Sequence, residues 1–159
     1  MPDAGRHLTF ELCGQIYAMN ISKVREILRD SGEVHFVPEL PDSLMGFVNL
    51  RGDIVPLTDL RKRLKLPPSQ GKQCVIVTDS CGVADVSLLG FAVDKVCAVE
   101  DFAPADLTPS PKLSAPSSPY ITGIFKGSNR IVLILDPEML ITADMTSAID
   151  RFVSENTNG

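Results

Sequence analysis

The sequence contains no tryptophan, only two tyrosines and only two histidines in 159 residues. The four cysteines, Cys13, Cys74, Cys81 and Cys97, never stand two or three residues apart, so no C-x-x-C pair exists for zinc or redox work. A nucleophilic cysteine needs a neighbouring base, and nothing in the spacing brings His7 or His35 to one. No G-x-x-x-x-G-K and no G-x-G-x-x-G occurs, so a phosphate-cradling loop is missing. No apolar run approaches the roughly 18 residues of a membrane-spanning helix. The first residues lack the apolar stretch of a secretory signal, so a cytosolic setting is expected. Basic residues are scarce as a cluster: Arg61, Lys62, Arg63 and Lys65 form the one short run, and the formal net charge is −5. A protein that holds nucleic acid through a basic field is thereby excluded.

What is present is ordinary globular material, 44% hydrophobic and 22% charged, enough for one domain. The apolar runs are short and punctuated often, which predicts an all-β barrel or sandwich. Residues 7–12 alternate, with Leu8, Phe10 and Leu12 on one face, and lead through Cys13-Gly14 into a second strand at Ile16–Met19. Residues 21–29 fit either a helical stripe or a strand. Val34, Phe36 and Val37 read as a strand stopped by Pro38. The clearest signal is Phe47–Val55, two apolar runs around a polar Arg51-Gly52-Asp53 turn, with Gly52 supplying the positive φ such a turn requires. Asp59 is placed to cap a short helix. Further strands are expected at 74–78 and across 88–99. Five prolines and four serines between 104 and 119 predict a long exposed loop there. A hairpin at 120–135 and a C-terminal helix begun by Asp136-Pro137 complete the chain.

The aspartates Asp53, Asp59, Asp79, Asp85 and Asp94 sit at predicted turns or strand ends, where Asp stabilises turns without doing chemistry. The cysteines read as reduced thiols packed in the core, except Cys81, which falls in a loop. No residue set marks a catalytic, cofactor or metal site, so the residues by themselves point to a domain that binds and does not catalyse.

The stretch Asn49-Leu50-Arg51-Gly52-Asp53-Ile54-Val55-Pro56-Leu57-Thr58-Asp59-Leu60-Arg61 closely resembles the N-L-R-G-x-I-V-P-x-x-D-L-R signature of the CheW family, the bacterial chemotaxis coupling proteins. Tyr17-Ala18, Lys23-Val24-Arg25-Glu26-Ile27, Gly90 with Phe91-Ala92-Val93-Asp94-Lys95-Val96, and Tyr120-Ile121-Thr122-Gly123-Ile124 follow the family's order. The resemblance spans residues 8–141. It implies two SH3-like five-stranded β-barrels packed on a shared core, with a minor helical content and a short C-terminal helix. The domain is expected over 8–153, with flexible termini at 1–7 and 154–159.

The resemblance also implies a non-catalytic, cofactor-free and metal-free adaptor. Its partners would be the cytoplasmic tip of a chemoreceptor and the regulatory domain of the histidine kinase CheA, without nucleic acid or membrane insertion. The protein would be cytoplasmic and recruited to membrane-associated receptor arrays. Val24, Glu26, Asn49 and Arg51 are the receptor-binding residues it implies. Gly52 reads as a structural turn residue, and the kinase-binding residues stay unassigned. Arg51 at a hairpin tip suits bidentate recognition of a carboxylate. If residues 24–26 are extended, Val24 and Glu26 share one face. Two alternatives stand beside this reading. One is a CheW-like adaptor of a system controlling pili or gene expression; the other is a small cytosolic hydrolase using a Cys or an Asp pair.

Overall fold

A computed structural model describes residues 5–30, 32–68, 71–109 and 119–157. Eleven strands form two sheets among these residues. The strands are β1 (Gly5–Leu12), β2 (Gln15–Asn20), β3 (Val24–Leu28), β4 (Leu44–Leu50), β5 (Asp53–Asp59), β6 (Cys74–Asp79), β7 (Leu88–Val93), β8 (Lys95–Phe102), β9 (Leu107–Pro109), β10 (Ile121–Lys126) and β11 (Ile131–Leu135). A four-residue helix α1 (Leu60–Arg63) follows β5, and α2 (Ala143–Thr157) ends the fold. The first sheet runs β8-β1-β2-β11-β10-β9 and the second β3-β6-β7-β5-β4. Each is antiparallel except for one parallel pairing, β2 with β11 and β5 with β7.

Apolar alternation explains how the sheets pack. Leu8, Phe10 and Leu12 of β1, with Tyr17 and Met19 of β2, meet Ile76 of β6 and Leu89, Phe91 and Val93 of β7 in one cluster. That cluster is the shared core between the sheets. The second sheet also curls around Val48, Val55, Leu57, Val75, Val77 and Ala92. The first curls around Ala18, Phe102, Val132 and Ile134, and its edge strand β8 reaches across to β10, where Phe102 stacks on Phe125 at 4.3 Å. Helix α2 lays Ala148, Ile149 and Val153 against Leu44 and Phe47 of β4. Two small barrel-like halves on a common core are thus the observed architecture.

Several local expectations change. Residues 21–29 resolve into a 3₁₀ turn at Ile21–Lys23 followed by β3. Val34–Val37 makes no strand; a single bridge joins His35 to Phe47, and Phe36 is 76% exposed. The proline-rich segment is not loop throughout, because Leu107–Pro109 pairs with β10; residues 110–118 lie outside the described residues. Strand β1 begins at Gly5, and His7 is fully buried, stacked on Phe102 at 4.8 Å with its Nδ1 donating to the Gly5 carbonyl at 2.9 Å. Helix α2 runs past residue 153, to Thr157. Three of the cysteines expected in the core or a loop, Cys13, Cys81 and Cys97, are exposed, while Cys74 is half-buried. Cys97 is the extra residue where the β1–β8 register shifts, and Cys13 occupies a hairpin turn; both positions point a side chain outward. Pro56 lies in an interior strand, yet outside the β5–β7 ladder, which starts at Leu57, so its missing N–H interrupts no bond there.

The two arginines of the basic run are taken up by bonds within the fold, while Lys62 and Lys65 stay exposed. Asp59 caps α1, accepting the Arg61 N–H at 3.0 Å. Arg61 forks onto Asp94, with its Nε 2.6 Å from Oδ1, and also donates to the Pro67 carbonyl at 2.7 Å. Arg63 donates to the Leu140 carbonyl at 2.6 Å and lies over the Tyr120 ring. Hydrogen bonding from Arg61 holds the Asp94 carboxyl below its ordinary value, against an opposing push from burial, and the Cys13 amide assists. A depressed folded value means stabilisation that is complete above the unfolded carboxylate value near ~3.9 and lost as pH falls through the folded one. Asp94→Asn is therefore expected to lower the urea midpoint at neutral pH and to flatten its fall in acid. Equal acid slopes for the variant and the wild type would refute this.

Candidate functional site

Strands β4 and β5 meet in a two-residue loop: Leu50 pairs with Asp53, leaving Arg51 at φ +50° and Gly52 at φ +91° between them. Two successive positive φ angles match the twist of a tight hairpin, and glycine takes the second without strain. The Asn49 side-chain Oδ1 accepts the Gly52 N–H at 2.8 Å. Asn49 is itself exposed. From this turn the Arg51 guanidinium bonds to the Glu26 carboxylate of β3, with side chains 70% and 30% exposed. That hydrogen bond, with the charge of Glu26 behind it, raises Arg51 further above neutrality than an ordinary arginine, so the guanidinium is fully charged.

The pair has a topological meaning. Strands β3 and β4 are the two outer strands of their sheet, so Arg51 and Glu26 join edges that the backbone ladders leave apart. An exposed pair contributes little to stability; its value is to fix where a charged, multi-donor group sits. A guanidinium carries five donors, and the bond to Glu26 uses one of its nitrogens, Nη2.

Val24 is placed otherwise than expected. It pairs with Thr78, while Glu26 pairs with Val77, so two steps on β3 match one on β6. Arg25 is the bulged residue, and its Nε pairs with Asp79 at 3.1 Å. Neighbours on β6 face opposite sides, hence Val24 and Glu26 do also. Val24 packs half-buried against the shared core beside Ile76, whereas Leu28, on Glu26's side, packs with the Val75 and Val77 cluster. The structure thus brings Glu26, Asn49, Arg51 and Gly52 together and turns Val24 away. Extended geometry alone would have put Val24 and Glu26 on one face; the bulge reverses that.

Sequence reasoning missed a second cross-sheet pair. Arg130, just before β11, bonds to Glu100 of β8, and the Thr9 hydroxyl donates to the same carboxylate at 3.2 Å. Nothing in the sequence pattern signalled it. Large apolar side chains left exposed include Phe36, Val99 and Ile131. Among the described residues, no group of three or more His, Cys, Asp or Glu is arranged to hold a metal, and no helix is long and apolar enough to cross a membrane.

Residues 6–145 match the family model of the CheW-like domain. The chain is 30% identical over 146 residues to a chemotaxis protein CheW of Klebsiella aerogenes, covering 91% of this chain and 86% of that one. It is 25% identical over 146 residues to a chemotaxis protein CheW of Bacillus subtilis, covering 89% of each. Among solved structures, the scaffolding protein TtCheW of Thermoanaerobacter tengcongensis superposes with a TM-score of 0.78 at 23% identity, over 90% of this chain and 96% of that one. The last likeness concerns fold.

Proposed function

This chain belongs to the CheW-like family, and we propose that it couples the cytoplasmic tip of a chemoreceptor to the regulatory domain of the kinase CheA. It is a non-catalytic coupling scaffold and not an enzyme, which sets aside the hydrolase built on a Cys or an Asp pair. The finer assignments are ours. Arg51 and Glu26 form the receptor-contact surface, and Asn49 braces the turn that presents it; Val24 lies on the opposite face of β3, against the shared core, and stays outside that surface. The protein works in the cytoplasm and is recruited to receptor arrays at the membrane.

The observation that supports this site is a charged guanidinium held out on a rigid two-residue turn, most of its side chain open to solvent. A partner carboxylate can approach its remaining donors without unfolding anything. For the kinase, exposed apolar side chains within a polar surround suit docking of a domain of similar shape, and Val99 and Ile131 are available for it.

The test is co-sedimentation with receptor-bearing membranes and CheA, comparing wild type with Arg51→Glu. The wild type is expected to sediment with both. Arg51→Glu places a second carboxylate against Glu26 and reverses the charge offered to the receptor. We expect it to lose receptor association while keeping its melting temperature, because the side chain is exposed. Wild type that sediments with neither partner overturns the adaptor assignment. Equal receptor binding by both proteins overturns Arg51 alone.

A further inference from the structure

Arg51 occupies a conformation that asparagine, aspartate or glycine would hold more readily. The turn is also left with a spare donor. In a two-residue hairpin loop the flanking pair, here Leu50 and Asp53, supplies the backbone bonds. The N–H of the second loop residue has no place in that pattern. Asn49 takes it: its Oδ1 lies 2.8 Å from the Gly52 nitrogen. This bond spans the strained residue, so it holds Arg51 in the left-handed region from both sides.

The geometry points to Asn49 as a positioning residue of the receptor site, one that acts through Arg51 and does not touch the receptor. Its side-chain oxygen is spent on Gly52. What that bond fixes is the direction in which the guanidinium leaves the turn, toward Glu26 on the opposite sheet edge. A turn free to relax would let the arginine leave that edge, and the charged surface would lose its shape. This inference rests on the receptor-contact reading of Arg51 given above.

Two substitutions separate positioning from contact. Asn49→Asp keeps an oxygen that accepts the Gly52 N–H and removes the amide donors. Asn49→Ala removes both. With the full chain and receptor-bearing membranes, Asn49→Ala is expected to weaken association roughly three- to tenfold, the worth of one net hydrogen bond, and Asn49→Asp to stay within about twofold of wild type. In an Arg51→Ala background, Asn49→Ala is expected to cause no further loss. Gly52 amide exchange should quicken in Asn49→Ala and not in Asn49→Asp. Asn49→Asp as weak as Asn49→Ala would mean the amide donors meet the receptor, which overturns the proposal. Losses that add fully to those of Arg51→Ala overturn it as well. If the wild type itself does not sediment, the receptor reading has failed and this role goes with it, whatever Gly52 exchange shows. A binding wild type with the wrong variant pattern sinks the positioning role alone.

Discussion

Phe91→Ala is expected to lower the free energy of unfolding by about 3–5 kcal/mol, the cost of removing a fully enclosed aromatic ring and leaving its cavity. Phe91 is completely buried in β7, a strand paired on both sides, opposite Ile76 of β6 and Thr58 of β5. Its ring sits in the core that both sheets share, beside Phe10-bearing β1 and Met19-bearing β2. The loss therefore loosens the joint between the halves as well as one half. Against a typical total of about 5–15 kcal/mol, that removes a large share of the stability. Urea unfolding at neutral pH measures it. Phe36→Ala is the control: its ring is 76% exposed, and an exposed substitution should stay within about 0.5 kcal/mol. Comparable losses at the two positions would mean that the shared core does not carry the fold.

Phe91 also shows how much the chain announced in advance. Leu8, Phe10 and Leu12 alternate with Thr9 and Glu11, so the inward face of β1 was legible from period two alone; Phe91 lies in an unbroken apolar run that is buried on both faces, where period two selects neither. Asp59 was legible as a cap, since a short side-chain acceptor before a turn of helix has one good use; Asp136 also accepts an N–H, from Glu138, but it opens only a 3₁₀ turn at Pro137–Leu140, and the C-terminal helix expected to begin there starts at Ala143. The partition of the strands between two sheets was not legible from pattern, because β7 and β8 are one apolar stretch in sequence and part company at Asp94. The family resemblance supplied it.

The site was legible in part. Arg51-Gly52 declared a turn. That the turn would reach Glu26, 25 positions away along the chain, follows from sheet curvature, which single-strand patterns do not encode. The bulge at Arg25 was equally hidden: a one-residue slip leaves composition untouched while reversing every side chain beyond it. His7 was misjudged for a related reason. Residues 1–7 were expected as a flexible terminus, but β1 begins at Gly5, pairs with β2 on one edge and β8 on the other, and the His7 ring stacks on Phe102. Exposed Cys13 and Cys97 misled in the opposite direction, since apolar neighbours in sequence say nothing about a residue in a turn or a bulge.

The backbone itself makes the second large prediction, at a residue whose sequence context gave no warning. Gly46→Ala is expected to cost about 2–4 kcal/mol, combining a backbone clash with conformational strain. Gly46 stands at φ +155°, where the β4–β5 register shifts, and a Cβ there would fall 2.5 Å from the His35 carbonyl oxygen and 3.1 Å from a Val34 methyl. That carbonyl accepts the Phe47 N–H at 3.0 Å, and His35 donates back to Phe47 at 2.7 Å. The contact is with main chain, so no side-chain rotation relieves it. Either the His35–Phe47 bridge opens or β4 moves, and β4 carries Asn49 and leads directly into Arg51. Faster exchange of the His35 and Phe47 amides should accompany the lost stability, and receptor association should weaken with it. Gly90→Ala is the comparison, because its nearest obstacles are the Leu57 and Val75 methyls at 3.3 Å, which can shift, so its loss should be the smaller. Unchanged protection of the Phe47 amide in Gly46→Ala would show that the glycine is not what lets the two strands approach.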